Sequence, residues 1–434
     1  MCVKLFFFEN FKNFRNFQNV RLRSDNAYDI LLPYIERKVD YKGQYTLNME
    51  IKQISILKQF QCTGAACPAN CCRGWKIPID DDAYEKYITE KGFLGFLLRC
   101  FLVKKEELTS FRSSKHQYRC PFWGMDRLCG LQKRRGTDYM PLVCVQFPRQ
   151  LSNFGTFCEE TLYLACAEAA RLFLEQAKAG HPFIFEAHSG EASYKENTTN
   201  DDFDFLNYLL KSRSELISML HNGSGLNTAF LTYAKDTQNQ CLAYGSKNAD
   251  TGLGSPRFPL PSPLDYDTTE KKLFTVDAAA MHTLFFKGFY HPSLKHSSPI
   301  LYKLCKEYIR QFYSLTKTNP KAADRKLQKL MDSVYEHVPD FDLLMTAYYE
   351  YYLQKNFLDI FEDYSFYKHL LCGMAQVKML QLFAALYCKS HPKIKLLSVS
   401  DFSVIIAVYE RRAPQIEDAL KRLADSTTPL PSRG

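Results

Sequence analysis

The sequence has no long uninterrupted apolar segment. Its first residues are apolar as far as Phe8, but Glu9, Asn10 and Lys12 break the run, whereas a secretory signal has a longer apolar core and a small-residue cleavage site. Residues 367–388 are the best candidate for a membrane span, but recurrent polar side chains favour a buried amphipathic helix instead. Those side chains are Lys368, His369, Gln376, Lys378 and Gln381. We therefore expect a cytoplasmic protein that has no contact with a membrane.

Motifs of several function classes are also absent. The chain contains no helix-turn-helix and no aromatic-basic RNA motif, which argues against nucleic-acid binding. It has no glycine-rich turn of the usual nucleotide-binding type between a strand and a helix. A pair of CxxC motifs is missing, which argues against an ordinary zinc ribbon. The Cys-x3-Cys-x2-Cys motif of radical methyl-donor enzymes is missing as well.

The charge balance is moderately basic, with a formal net charge of +9. Between residues 99 and 135 there are ten Lys or Arg and three acidic residues. Such a surface can steer an acidic partner protein towards the chain. It is slightly more typical of an ordinary solvated face.

Cysteine is abundant and unevenly distributed. Ten of the fifteen cysteines fall between residues 62 and 166 of a chain of 434 residues. Disulfide scaffolds are usually short and secreted, so this clustering favours metal or redox chemistry in a reducing compartment. We interpret Cys100 and Cys158 as ordinary thiols, because they lie outside the tight motifs. The scattered cysteines, interpreted as core or surface thiols, are Cys2, Cys241, Cys305, Cys372 and Cys388.

Eight cysteines remain as candidate metal ligands. They are Cys62, Cys67, Cys71, Cys72, Cys120, Cys129, Cys144 and Cys166. A soft metal prefers several thiolates that converge on one point, and the glycines and prolines in these loops permit the necessary tight turns. The adjacent pair Cys71 and Cys72 cannot both serve one ion without a sharp bend, so one of them can bind a neighbouring ion or simply pack. Iron–sulfur clusters and structural zinc both use four cysteines, and the spacing does not separate them.

The sequence predicts a mainly α protein, in which an irregular cysteine-rich metal-binding part precedes a helical C-terminal domain. One helix is expected to follow Asp80, and another to run from about Leu164 to Ala179. The tract 237–275, including residues 245–248, is expected to be an exposed loop. We expect these divisions: an extension over 1–48 that need not belong to the native chain, the cysteine-rich domain over 49–180, a helical segment and Pro/Gly-rich linker over 181–275, the helical domain over 276–425, and a tail over 426–434.

Short motifs around the cysteines resemble the flagellin lysine N-methylases. The pieces that carry the resemblance are, in chain order, Phe60-Gln61-Cys62-Thr63-Gly64, Cys67, Cys71-Cys72-Arg73-Gly74-Trp75, Ile79-Asp80, Tyr84-Glu85-Lys86-Tyr87, Cys120-Pro121-Phe122, Leu128-Cys129, Cys144 with Phe147-Pro148-Arg149, and Cys166 with Glu168-Ala169-Ala170-Arg171. They cover about residues 49–175. Ala167 departs from the pattern, because the family usually has proline there, but this change removes no ligand.

The resemblance implies transfer of methyl groups from S-adenosylmethionine to lysine side chains of flagellin. It also implies an iron–sulfur cluster, of the 4Fe–4S type, whose four ligands come from among the eight cysteines named above. Within the sequence we identify neither a catalytic residue nor a pocket for the methyl donor. The cluster of tyrosines at 348, 349, 351 and 352 is more typical of core packing on a helix.

A non-catalytic protein is the alternative interpretation of the same cysteines. It would hold an iron–sulfur cluster or zinc for electron transfer or metal handling, or use zinc as a structural centre. The long helical C-terminal part favours an enzyme, because a simple carrier would not need it.

Overall fold

The computed structural model describes most of the chain from residue 45 onward. The described residues are 37–39, 45–74, 77–105, 108–112, 119–193, 202–222, 228–251, 277–286, 290, 294–413 and 419–420. The predicted tail 426–434, the proline-rich part of the predicted linker and nearly all of the predicted extension lie outside them.

A five-stranded mixed sheet occupies the N-terminal half and is organised around one long strand. The strands are β1 (Arg37–Val39), β2 (Tyr45–Ile54), β3 (Leu102–Lys105), β4 (Leu108–Phe111), β5 (Arg149–Asn153), β6 (Phe157–Leu162) and β7 (Phe185–Ser193). Strand β2 pairs in parallel with β6 and antiparallel with both β1 and β7. Strand β5 completes the sheet by antiparallel pairing with β6, and β3 forms a separate hairpin with β4.

Strand β2 shows the alternation expected of a sheet with one face on the core. Met49 and Ile51 are buried, while Glu50 between them is exposed. Met49 and Ile51 pack together with Cys158 of β6, which confirms the interpretation of Cys158 as a small apolar side chain. Because β2 runs across residue 49, the predicted division between residues 48 and 49 falls inside a strand.

The helices of the cysteine-rich part are short. They are α1 (Asp81–Thr89), α2 (Gly92–Phe101), α3 (Gly130–Arg135), α4 (Leu142–Gln146) and α5 (Ala167–Lys178). The helix predicted after Asp80 is confirmed, since the Asp80 side chain caps it by accepting a hydrogen bond from the backbone N–H of Ala83 over 3.0 Å. The second predicted helix begins at Ala167 rather than Leu164, because Cys166 closes a turn onto the carbonyl of Tyr163.

The C-terminal half consists of helices joined by short connections in the residues that the structure describes, as predicted. Its helices are α6 (Phe203–His221), α7 (Thr228–Thr251), α8 (Ala278–Leu284), α9 (Leu294–Ser297), α10 (Pro299–Thr318), α11 (Pro320–Asp332), α12 (Val334–His337), α13 (Phe341–Asn356), α14 (Ile360–Asp363), α15 (Phe366–Ser390) and α16 (Val399–Glu410). A single large apolar core joins these helices to the face of the sheet and to α5.

The prediction of a loop at residues 245–248 is wrong, because these residues belong to α7. Packing overrides the weak helix propensity of the local sequence. Cys241 is fully buried one turn earlier, and the ring of Tyr244 stacks on Phe205 of α6 with centroids 4.9 Å apart.

Helix α15 is the centre of the helical half. It is long and apolar enough to cross a membrane, but 83% of its apolar window is buried inside the fold. Two polar side chains at its N-terminal end have partners inside the fold, since Lys368 pairs with Asp363 and the Nε2 atom of His369 lies 2.9 Å from the same carboxylate. The buried helix predicted for residues 367–388 is confirmed. The tyrosines of α13 are core residues, also as predicted.

Two buried polar contacts join the sheet to the helices. Arg213 of α6 forms a bidentate ion pair with Glu159 of β6, with N–O distances of 2.6 and 2.9 Å. The hydroxyl of Tyr351 on α13 donates to the carbonyl of Leu162 over 2.5 Å. Strand β6 therefore connects the cysteine-rich part to the helical part.

Removal of Arg213 is expected to destabilise the protein strongly. The Glu159 and Arg213 side chains are 4% and 8% exposed, so Arg213→Met leaves a buried carboxylate without its partner. Such a change costs about 3–5 kcal/mol of unfolding free energy, and replacing both partners by methionine costs less. Urea denaturation of both variants measures the difference. A loss below about 1 kcal/mol in the single variant would show that the pair behaves as an exposed one.

Candidate metal centre

The first cysteine loop covers residues 62–72 and bends at both ends. A 3-10 turn, Gly64–Ala66, begins with a φ of +56°, in the left-handed region that favours glycine. Before the end of the loop, the side chain of Asn70 accepts a hydrogen bond from the backbone N–H of Cys72 over 2.8 Å. This Asx-type turn supplies the sharp bend that the adjacent cysteine pair requires.

The second cysteine loop, residues 119–130, is fastened directly to the first. The backbone N–H of Cys120 donates to the carbonyl of Cys72 over 2.9 Å. Within the loop, the N–H of Gly130 donates to the carbonyl of Phe122 over 2.7 Å, and Trp123 and Cys129 form a β-bridge. These contacts bring Cys120 and Cys129 to the same place as Cys72.

The third cysteine-bearing segment, helix α4, is positioned by the cap of α1. Asp80 uses its second carboxylate oxygen to accept the backbone N–H of Leu142 over 2.7 Å, which ties the start of α4 to α1. Helix α4 carries Cys144. One aspartate therefore both starts a helix and places a thiol.

These three elements together form a four-thiol group, which we define as Cys72, Cys120, Cys129 and Cys144. Cys120 is buried in an apolar cluster that includes Tyr87, and the other three thiols pack against that cluster. The hydroxyl of Tyr87 donates to the carbonyl of Tyr139 over 2.8 Å, which closes the cluster from the side of α1.

A three-thiol group, Cys67, Cys71 and Cys166, lies next to the four-thiol group. Cys71 is the link, because its charge acts on Cys120 and Cys144 as well as on Cys166. The backbone N–H groups of Glu168 and Ala169, at the start of α5, point at the sulfur of Cys166. The N–H of Ala69 does the same for Cys67. Hydrogen bonds of this kind stabilise sulfur in its thiolate form.

Helix α16 of the C-terminal half lies across the three-thiol group. Ala407 packs against Ala69 and Ala167, which flank the cysteines. The next residue after the helix, Arg411, donates from Nη2 to the carbonyl of Ala69 over 2.6 Å and from Nε to the carbonyl of Ala165 over 3.2 Å.

Burial makes most of these thiols reluctant to ionise. It raises the pKa of Cys120 to about 12 and that of Cys166 to about 11, and it raises the pKa of Cys144 well above the usual value. Cys71 is the exception. The hydrogen bond from the thiol of Cys72 lowers the pKa of Cys71 to about 7 in spite of burial, and the guanidinium of Arg411 acts in the same direction.

The donor set is suited to a soft metal. Seven of the eight predicted ligands lie within these two groups, and the eighth, Cys62, is exposed at the start of the first loop. Among the described residues, no group of three or more His, Cys, Asp or Glu side chains is already arranged around one point where an ion would sit. The backbone thus gathers the thiols, and binding of a metal would require their side chains to turn inward and lose protons.

Two residues of this site were not recognised in the sequence as part of it. Arg411 follows an apolar helix more than two hundred residues beyond the last site cysteine, and only the packing of α16 shows where it lies. Asp80 was recognised as a helix cap, but its second contact, to α4, depends on the tertiary fold.

The comparisons with known proteins agree with the resemblance seen in the cysteine motifs. The chain is 29% identical over 147 residues to the "Flagellar biosynthetic protein FliU" of Salmonella muenchen. The aligned region covers 32% of this chain and 87% of that protein. It is 28% identical over 134 residues to the "Lysine-N-methylase" of Salmonella typhimurium and to that of Salmonella choleraesuis. Each of these matches covers 30% of this chain and only 33% of the methylase. No family model matches the chain, and no solved structure matches it.

The matches confirm the predicted resemblance to the lysine N-methylases. The similarity extends over about a third of this chain and about a third of each methylase.

Alkylation should distinguish the two kinds of thiol in metal-free protein. The thiolate is the reactive form, so iodoacetamide labelling of Cys71 should rise as the pH passes about 7, while Cys120, with a pKa of about 12, stays unlabelled at mildly alkaline pH. Peptide mass mapping at several pH values measures both rates. In urea the two should be labelled alike, which is the control. Equal labelling in the folded protein would contradict the assigned electrostatics.

Proposed function

We propose that the chain is a protein lysine N-methyltransferase that uses S-adenosylmethionine and modifies flagellin in the cytoplasm. The two matched lysine-N-methylases support the reaction class. The match to a flagellar biosynthetic protein supports the choice of flagellin. We propose further that an iron–sulfur cluster is bound by the gathered cysteines, and their convergence from four separate chain segments is the observation that carries this part.

The cysteines proposed as ligands come from the four-thiol and three-thiol groups. Both groups offer only sulfur within the set, which suits iron–sulfur clusters and zinc and does not suit magnesium or calcium. Cys71 connects the groups, and the hydrogen bond from Cys72 lowers the pKa of its thiol to about 7. When bound, the cluster supplies a redox-active and Lewis-acidic centre at the junction with α16.

The proposed reaction is a displacement at a methyl carbon. The neutral lysine amine attacks the methyl group of the sulfonium, the N–C bond forms, and the C–S bond electrons remain on sulfur as the neutral thioether product. A proton then leaves the methylated ammonium for solvent. Because a free lysine has a pKa of about 10.4, the site must favour its neutral form by desolvation or by a nearby base.

Loss of a site cysteine should remove both the metal and the activity. Cys144→Ser takes one sulfur from the four-thiol group, and we expect iron and acid-labile sulfide per chain to fall severalfold. Methyl transfer from labelled S-adenosylmethionine to flagellin should fall in parallel. Cys100→Ser is the matched control, because Cys100 is exposed on α2 outside both groups.

Three outcomes separate the alternatives. Wild-type protein that holds zinc instead of iron when purified anaerobically would favour a structural zinc centre. Iron–sulfur protein that binds S-adenosylmethionine but methylates no lysine of flagellin would contradict the proposed substrate. Cys144→Ser protein that keeps its iron and activity would remove the cysteine site from the mechanism.

A further inference from the structure

Arg411 is a cation from the C-terminal half that lies among thiols of the N-terminal half. It caps α16, and its side chain is partly buried beside the three-thiol group. Burial lowers the pKa of its guanidinium, and the ionised forms of Cys71, Cys67 and Cys166 would oppose that shift. A cation in such a position is costly unless an anion compensates for it.

The two hydrogen bonds of Arg411 connect both cysteine segments of that group. Ala69 stands between Cys67 and Cys71 in the first loop, and its carbonyl accepts from Nη2 over 2.6 Å. Ala165 directly precedes Cys166, and its carbonyl accepts from Nε over 3.2 Å. A guanidinium has five N–H donors in a rigid fork, so it can hold both carbonyls and still face negative sulfur.

The thiols next to Arg411 become anions only when they ionise or bind a metal. A metal bound by several thiolates carries net negative charge, and in a partly buried place that charge needs a counterion. The guanidinium of Arg411 can serve as that counterion. Its hydrogen bonds to the carbonyls of Ala69 and Ala165 also hold the first cysteine loop next to the segment before Cys166.

We propose that Arg411 is a positioning residue for the metal centre, acting as the internal counterion of the thiolates of Cys67, Cys71 and Cys166 and as the clamp between their two loops. This inference rests on the metal centre put forward under the proposed function. It assigns the C-terminal helical half a part in metal binding, because α16 delivers the cation.

The inference predicts that Arg411 matters more to the metal-bound protein than to the metal-free protein. Arg411→Gln should weaken metal binding by about 10–100-fold. This is the usual effect of losing a residue that orients the metal ligands without binding the metal itself. The metal-free protein should lose less stability than the metal-bound protein, because without metal the two hydrogen bonds of Arg411 are lost together with a buried cation that has less negative charge beside it. Metal should therefore raise the unfolding midpoint of the variant less than that of wild type.

The experiment uses full-length protein and two readouts apart from activity. Zinc is titrated against a chromophoric chelator to give the affinity, and iron per chain is measured after anaerobic reconstitution with iron and sulfide. Arg127→Gln is the matched control. Arg127 also donates to a carbonyl of the first loop, that of Cys67 over 2.6 Å, but it does so from an exposed position. Arg411→Lys keeps the positive charge but lacks the planar guanidinium that bonds both carbonyls. Its metal affinity should therefore lie between that of Arg411→Gln and that of wild type.

Weaker metal binding in Arg411→Gln, partial recovery in Arg411→Lys and unchanged binding in Arg127→Gln would support the inference. An equal loss of metal affinity in Arg411→Gln and Arg127→Gln would overturn it. Any hydrogen bond to the first loop would then explain the effect without a buried counterion. Wild-type affinity in Arg411→Gln would also overturn it and leave the metal centre intact. If Arg411→Gln does not fold, Arg411→Lys decides. Wild-type affinity in Arg411→Lys would overturn the claim that the guanidinium must hold both carbonyls. Wild-type protein that takes up no metal would overturn the metal centre and this inference together.

Discussion

The structure depends on one constraint: thiols from distant parts of the chain are buried close together, where desolvation disfavours their ionised forms. Burial makes each of them resist ionisation, yet backbone N–H groups are directed at the sulfurs of Cys67, Cys120 and Cys166. Those hydrogen bonds favour the thiolate over the thiol. Such a group would suit a soft cation, because the metal would replace the thiol protons and bind the thiolates.

The rest of the architecture can be understood from the need to hold the loops that carry these sulfurs. The loops are too irregular to support one another by secondary structure, so single side chains fasten them. Asn70 bends the first loop, Asp80 fixes α4, and Arg411 reaches in from the helical half. The helical half is attached in turn to the sheet through the ion pair between Arg213 and Glu159.

The sequence predicted the mainly α class and marked the cysteines that the fold gathers, but it missed part of the architecture. Unequal spacing of cysteine was enough to mark the thiol site, and the aspartates before α1 marked a helix start, because both signals are local. The central sheet was not predicted, since β2 pairs with β6 and β7, which lie about a hundred residues or more further along the chain. Helix α7 continues through Gly245 because Tyr244 stacks on a distant ring, which no local propensity contains. Arg411 could not be recognised for the same reason: its place depends on the packing of α16 against α5.

The most direct test of the account is iron anomalous diffraction from crystals grown anaerobically. The account predicts an iron peak at the junction of the two thiol groups, bonded by sulfur atoms of at least three of their cysteines, with Arg411 alongside. A folded protein with no metal peak there, and with these cysteines unbound, would contradict it.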